Sequence, residues 1–200
     1  MSINEYHFIT NWRIRGTIEE VATILADARG LTRWWPAVYL DARVLEPGDE
    51  RGLGTVVSLY TKGWLPYTLR WQFRVSEIGA KGFTIDAWGD FVGRGIWTFE
   101  QDGEWASVTY DWKIRADKLL LRRLSFLMKP IFAANHHWAM ARGEESLKLE
   151  LARRRARTPE ELARIPAPPP PTTTSPLPLL AGTAGALGLA YLLLRAARQR

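Results

Sequence analysis

Gly95-Ile-Trp-Thr-Phe-Glu-Gln-Asp-Gly-Glu-Trp-Ala-Ser-Val-Thr-Tyr-Asp-Trp-Lys-Ile-Arg115 is the stretch of sequence that decides the fold. Apolar and polar residues alternate along both of its arms, which is the period of a half-buried β-strand. Asp102-Gly103 lies between the arms, and this dipeptide is typical of the tight turn of a β-hairpin. The stretch therefore predicts two long antiparallel strands, each with one apolar and one polar face.

The same period of two recurs through the earlier part of the chain. Clusters of glycine, proline and acidic residues separate the alternating segments and predict the turns between them. The segments predicted as strands are 6–15, 38–45, 54–61, 67–78 and 83–88. With the hairpin, the sequence predicts six or seven antiparallel strands.

Helical patterns occur in two places. Thr17 and Glu20 have the spacing of a capping box and predict a helical region that runs to about Gly30. A long helix is predicted from about 117 to 155, interrupted near Pro130. One apolar stripe follows its inner face, at spacings of three and four residues, and consists of Phe132, His136, Met140, Gly143, Leu147 and Leu151.

The last part of the chain differs sharply in composition. No charged residue occurs from 165 to 194, and three arginines follow among the last six residues. Residues 177–194 would span about 27 Å as a helix, close to the roughly 30 Å hydrocarbon core of a bilayer. We expect domain boundaries at 1–155, a basic and then Pro/Thr-rich linker at 156–176, a transmembrane helix at 177–194 and a basic tail at 195–200. The alternative is an apolar segment that packs on the domain.

The charge distribution argues against nucleic acid as a partner. The formal net charge is +6, but residues 1–150 carry 19 basic and 19 acidic side chains. The excess of arginine lies around the apolar segment, where it is suited to anionic lipid headgroups. No cysteine is present, and the first residues lack the pattern of a signal peptide. We expect a single-pass membrane protein with its domain on the cytoplasmic side.

Several short strings, taken in order, resemble those of a known superfamily. They are Trp34-Trp35-Pro36, Pro47-Gly48-Asp49, Leu65-Pro66-Tyr67, the Gly89–Trp97 string and Asn135-His136-x-Trp138. In this order the chain resembles the START-like helix-grip superfamily (SRPBCC), in its polyketide cyclase/dehydrase-like branch. The resemblance covers about residues 6–152 and implies an α+β fold, with a curved antiparallel sheet wrapped around a long C-terminal helix. It also implies a cavity for a hydrophobic ligand, and it does not extend to the predicted transmembrane helix.

Candidate ligand-binding residues follow from the inner faces of the predicted strands and of the long helix. His136 is the one titratable group of the helix stripe, so it is the candidate for an acid–base role, against the alternative of a hydrogen-bonded core histidine. The aromatic residues either line a cavity or fill the core. The full set is Trp12, Trp71, Phe73, Trp97, Phe99, Tyr110, Trp112, Phe132, His136 and Met140.

Membrane contact is expected at a second place besides 177–194. Lys118, Arg122, Ser125 and Lys129 form a basic stripe on the segment 118–129, which either lies on an anionic surface or is an ordinary solvated helix face. Small residues spaced four apart in 177–194 suggest a homodimer through the anchor. No metal site and no cofactor are expected, because neither a ligand cluster nor a phosphate-binding glycine loop is present.

Three functions remain open at this point. The first is membrane-tethered binding, or transfer, of a hydrophobic small molecule or lipid. The second is an enzyme of the cyclase/dehydrase type, a lyase acting on an aromatic or polyketide-like substrate. The third is a membrane-tethered interaction module with a filled core and no ligand. Fold does not decide among them, because one fold hosts many functions.

Overall fold

The computed structural model describes residues 5–116 and 119–173, with side chains left out from 116 to 128. Seven strands form one antiparallel sheet in the order β1-β7-β6-β5-β4-β3-β2. Their bounds are β1 Glu5–Arg15, β2 Tyr39–Glu46, β3 Val56–Lys62, β4 Thr68–Gly79, β5 Gly82–Gly89, β6 Phe91–Asp102 and β7 Trp105–Ala116. The helices are α1 Ile18–Ala26, α2 Leu31–Trp34, α3 Leu119–Arg155 and α4 Pro159–Ala163. The predicted α+β class and the long helix against a curved sheet are confirmed.

The predicted β6–β7 hairpin is present, and its two-residue turn is Gly103-Glu104, one residue beyond the predicted Asp102-Gly103. Asp102 pairs with Trp105 across the turn, and pairing continues without a break to Phe91 and Ala116. Gly103 has a φ of 58°, the left-handed conformation that a tight turn needs. The alternation places Val108, Tyr110 and Trp112 in the core and leaves Thr109 and Asp111, between them, half-buried on the opposite face.

Strand β6 begins at Phe91, four residues before the predicted start at Gly95, and so includes Gly93 as well. A Cβ at Gly95 would lie 2.6 Å from the Tyr110 hydroxyl and 2.8 Å from the Trp112 ring. Glycine at this position therefore makes room for two aromatic side chains of the neighbouring strand.

The helical region after β1 differs from the prediction of one helix. Thr17 and Glu20 make the predicted capping box, and α1 ends at Ala26. A single 3₁₀ turn, Ala28–Gly30, then leads into α2, which ends at Trp34. Asp27 accounts for the break, since its carboxylate accepts a hydrogen bond from the Gly30 amide and caps the new turn.

Helix α3 runs through Pro130 without the predicted interruption. Its inner stripe contacts the core as expected: Leu147 and Leu151 are buried, and Met140 is 6% exposed. Glycine is required at position 143 because a Cβ there would overlap the indole ring of Trp35. Trp35 is thus packed directly on the helix backbone.

Opposite ends of the molecule are held by different contacts. Arg155, at the end of α3, makes a salt bridge to Glu20 of α1 at 2.6 Å. At the other end Asn135 of α3 accepts hydrogen bonds from the amides of Trp64 and Leu65, at 2.9 and 3.2 Å. Between these fixed ends α3 crosses the sheet. Unfilled space remains over the sheet on either side of the contact between Gly143 and Trp35.

Candidate functional site

A cavity of 180 Å³ lies between the sheet and the first half of the described part of α3. We call it the sheet–helix cavity. An apolar cavity of about 150 Å³ is large enough for a benzene ring. The walls come from β1, β2, β3, β4, β6, β7, α3 and the segments after α2 and β3. The lining residues are Tyr6, Phe8, Trp35, Val38, Tyr39, Thr61, Lys62, Gly63, Tyr67, Leu69, Trp71, Phe91, Tyr110, Trp112, Ile114, Phe132, Asn135, His136, Ala139 and Met140.

Three of the lining residues carry a buried polar atom with no hydrogen-bond partner among the described residues. These atoms are the Tyr6 hydroxyl, Trp35 Nε1 and His136 Nε2. Buried polar atoms are nearly always paired in folded proteins, because leaving one unpaired costs about 1–3 kcal/mol. A bound molecule, or water, in the cavity would supply partners for these three atoms; the four other such atoms of the described residues, on Thr10, Trp12, Trp34 and Ser146, line neither this cavity nor the second one.

His136 lies on the wall that α3 contributes to this cavity. Its ring stacks on Phe8, with centroids 4.1 Å apart and planes inclined by 17°. Burial lowers the pKa of His136 to about 4, and neighbouring His137 contributes in the same direction. The imidazole is therefore neutral at pH 7, with one nitrogen a donor and the other an acceptor.

Tyrosines supply the remaining titratable hydroxyls of the cavity. Burial raises the pKa of Tyr67 to about 12, with a further contribution from Tyr6. Burial likewise raises the pKa of Tyr39 and Tyr110 above the usual value, and for Tyr110 the nearby Tyr39 adds to the effect. These three hydroxyls are protonated at pH 7, so they can donate to a bound carbonyl or hydroxyl group.

One end of the cavity is lined by Lys62, Gly63 and Tyr67; we call this end the mouth and residues 63–67 the mouth loop. Lys62, at the end of β3, is the cationic lining residue on the described part of the chain. Just inside the mouth, Trp71 Nε1 donates to Thr61 Oγ1 at 3.1 Å. Tyr67 packs edge-on against Phe132 at 6.2 Å, which joins the mouth loop to α3.

A second cavity, of 290 Å³, lies at the opposite end of the sheet beneath α1. We call it the α1 cavity. Its walls are mostly small or apolar and include Ala22, Val57 and Phe83. Arg51 is its cationic lining residue. The lining contains no carboxylate, and Thr55 Oγ1 is already bonded to the carbonyls of Pro47 and Gly52, at 2.7 Å each.

An aromatic wall stands between the two cavities. Trp97 stacks on Tyr110 at 4.0 Å on one side and on Phe83 at 6.3 Å on the other. Trp12 contacts Trp97 and also Trp35, at 5.5 and 5.7 Å. Both Trp12 and Trp97 are buried and line neither cavity.

The ten candidate residues thus separate into three groups. Six of them line the sheet–helix cavity: Trp71, Tyr110, Trp112, Phe132, His136 and Met140. Phe73 and Phe99 line the α1 cavity. Trp12 and Trp97 belong to the wall. The periodicity of the sequence places all ten candidates on inner faces of strands or of α3. It does not predict which of them line a cavity and which pack between the cavities.

Several lining residues were not among the sequence candidates. Trp35 and Tyr39 lie on either side of the short connection after α2, and Tyr67 begins the segment predicted as the next strand. Tyr6 stands at the start of β1, and Asn135 precedes His136 on α3. Trp35, Tyr67 and Asn135 belong to the strings that carry the family resemblance, so the resemblance was the available signal for these three residues.

The predicted membrane contacts lie mostly outside the described residues. This holds for the segment 177–194, and the side chains of Lys118, Arg122 and Ser125 are likewise not described. Lys129 is described, and its Nζ lies 5.6 Å from the centre of the Tyr6 ring. Within 5–116 and 119–173 no helix is long and apolar enough to cross a bilayer. The same residues contain no group of three or more side chains suited to hold a metal ion.

Comparison with known proteins rests on structure alone. No family model matches the sequence, and no curated protein matches it either. A solved structure from Thermus thermophilus superposes with a TM-score of 0.62 at 15% identity, over 76% of this chain and 100% of that one. The Zhui aromatase/cyclase of Streptomyces sp. R1128 superposes with a TM-score of 0.60 at 18% identity, over 76% and 97%.

A START superfamily protein from Mycobacterium smegmatis superposes with a TM-score of 0.56 at 11% identity, over 72% of this chain and 96% of that one. Identities this low establish the fold and leave the chemistry of the site to its own residues. The chain has the helix-grip fold that START-type and aromatase/cyclase proteins share.

Proposed function

We propose that this protein binds an uncharged, largely apolar small molecule or lipid moiety in the sheet–helix cavity, while residues 177–194 tether it to a membrane. The observation that carries the binding proposal is the cavity itself. Aromatic and aliphatic walls surround three buried polar atoms without partners among the described residues, on Tyr6, Trp35 and His136. A ligand with an apolar body and one or two neutral polar groups satisfies both features.

The electrostatics of the cavity support a neutral ligand. His136 is neutral at pH 7, three of the lining tyrosines have raised pKa values and are protonated, and no carboxylate is among the described lining residues. A buried charge would need a partner of opposite sign, which costs several kcal/mol to omit. Lys62 stands at the mouth, so a negatively charged headgroup would be placed there, outside the apolar interior.

Binding is tested by filling the cavity. Ala139 lines it, whereas Ala134 of the same helix is exposed, so Ala139→Phe and Ala134→Phe are matched variants. Using residues 1–173, we expect Ala139→Phe to weaken binding of a fluorescent fatty-acid probe at least about tenfold, or about 1.4 kcal/mol. Ala134→Phe should bind as the unaltered chain does. Equal binding by both variants would place the probe elsewhere.

The cyclase/dehydrase alternative has one observation in its favour, the unpaired Nε2 of His136 inside the cavity. The low pKa of His136, about 4, argues against this alternative, because it makes His136 a poor general base at pH 7. Replacing His136 by Ala separates the two functions, provided that turnover of an aromatic or polyketide-like substrate is measured beside binding. Loss of turnover with retained binding would establish the enzyme, and absence of turnover in both forms supports the binding protein.

A further inference from the structure

Residues 165–173, the Pro/Thr-rich end of the predicted linker, lie against the domain, and we call them the strap. A guanidinium nitrogen of Arg153 donates to the carbonyl of Pro166, where the strap leaves the end of α3. At its other end Lys62 Nζ donates to the carbonyl of Thr172 at 2.7 Å, and Thr172 Oγ1 donates to the carbonyl of Gly63 at 2.9 Å. The strap thus runs from the α1 end of the molecule back to the cavity mouth.

The mouth loop that receives the strap is itself tied to α3. Asn135 accepts from two of its amides, and a Cβ at Gly63 would overlap the Asn135 side chain. Since α3, the mouth loop and the strap are joined by direct hydrogen bonds, the end of the strap has a defined position relative to the cavity. That position is the end of the cavity that Lys62 and Gly63 line.

The length of the remaining chain then limits where a membrane segment begins. Only four residues separate Thr173 from Leu177, counting Leu177 itself, and four residues reach at most about 14 Å. A free linker over 156–176 would reach about 70 Å on the same basis, and would leave the orientation of the domain open. With the strap bound, the start of a membrane segment at 177 is limited to about 14 Å from Thr173 by the length of the chain.

We propose that the strap orients the domain so that the mouth of the sheet–helix cavity faces the bilayer that residues 177–194 enter. The proposal rests on the proposed function only for the membrane tether. The mouth has the chemistry of a membrane interface: Trp64 and Tyr67 are side chains enriched at headgroup depth, and Lys62 suits anionic lipids. An apolar ligand exchanged through this mouth would pass between cavity and bilayer without crossing water.

The test measures depth in the membrane at the two ends of the domain. The chain has no cysteine, so single cysteines can be labelled without background. Pro66→Cys marks the mouth loop, and Glu50→Cys marks the exposed loop at the opposite end of β3. Each full-length variant is labelled with bimane and reconstituted into phosphatidylcholine/phosphatidylglycerol vesicles that contain a headgroup-level nitroxide lipid.

We expect the lipid nitroxide to quench the label at 66 and to leave the label at 50 unquenched. Replacing Lys62 by Met and Thr172 by Val removes both hydrogen bonds at the Thr172 end of the strap, and the quenching at 66 should then fall towards that at 50. The same fall is expected in vesicles of phosphatidylcholine alone, where the lost charge of Lys62 has no anionic lipid to act on. Equal quenching at the two positions, or quenching at 66 that the double replacement does not change, would overturn the proposed role of the strap.

Two further outcomes are distinguishable. If residues 177–194 pack over the mouth instead, the label at 66 will be protected from both the lipid nitroxide and aqueous iodide, which contradicts the proposal. A chain that fails to float with the vesicles would refute the membrane tether and with it the orientation. Ligand binding by residues 1–173 is measured independently and is unaffected by any of these results.

Discussion

His136 shows how much one residue depends on its surroundings in three dimensions. Its place on the inner stripe of α3 was predicted from helical spacing, and the structure places it on the cavity wall. The prediction left open whether it bonds to a strand, and Nε2 has no partner among the described residues. Spacing identifies the face of a helix but carries no information about what lies opposite at that height.

The lowered pKa of His136 makes folding of the empty protein sensitive to pH. The folded pKa of about 4 lies below the ordinary value of 6.5, so the unfolded chain binds the proton more readily. This contribution to stability is therefore fully present above about pH 6.5 and is lost as the pH falls towards 4. Between pH 7 and pH 5 the loss amounts to about 2 kcal/mol.

We expect His136→Leu to remove this dependence. Chemical denaturation of residues 1–173 at pH 7 and pH 5 should show a smaller drop for His136→Leu than for the unaltered chain, by about 2 kcal/mol. The exposed neighbour provides the control: His137→Leu should retain most of the drop, because burial is the larger cause of the lowered pKa of His136 and His137 the smaller. A drop of the same size in His136→Leu and the unaltered chain would mean that His136 is not held neutral by burial.

Elements were predictable where one face is buried along their whole length. The seven strands follow the alternation, and the hairpin forms where Asp102-Gly103 predicted it, with the turn itself one residue further on. The break between α1 and α2 was missed because the Asp27 cap competes with helix continuation over a single turn. The strap was unpredictable in the same way: proline-rich composition indicates stiffness, and nothing in it indicates the Thr172 contacts with Lys62 and Gly63.

The packing of α3 against α2 depends on one buried carboxylate. Glu150 is 1% exposed, and it accepts hydrogen bonds from Arg33 at 2.6 Å and from Arg154 at 2.9 Å. Burial by itself raises the pKa of Glu150, but the hydrogen bonds and positive charges of the two arginines outweigh it and hold the pKa below the ordinary value. Glu150 therefore stabilises the folded chain in its ionised form.

We expect Glu150→Gln to lower the free energy of unfolding at pH 7 by about 1–3 kcal/mol, since the arginines lose a charged acceptor. The contribution is present above the unfolded pKa of about 4.5 and is lost as the pH falls through the lower folded value. Denaturation curves at pH 7 and pH 3 should thus differ less for Glu150→Gln than for the unaltered chain. Glu145→Gln, at an exposed pair on the same helix, should change stability by no more than about 0.5 kcal/mol, and a larger change there would show that α3 is sensitive to any charge loss.

At the scale of the whole molecule, the sheet and α3 are joined at both ends and leave two cavities with an aromatic wall between them. The family resemblance implied one hydrophobic cavity. The partition into two arises because Trp35 packs on Gly143 and brings Trp12 and Trp97 into the middle of the core. These contacts join residues far apart in sequence, so no local pattern predicts them.

The central claim is that the sheet–helix cavity holds an uncharged apolar ligand, and native mass spectrometry of residues 1–173 with solvent extraction tests it most directly. We predict a co-purifying molecule of defined mass that is extracted by organic solvent and is absent from Ala139→Phe but present in Ala134→Phe. A stable, empty domain that takes up no fatty-acid probe, or a ligand retained equally by both variants, would contradict the account.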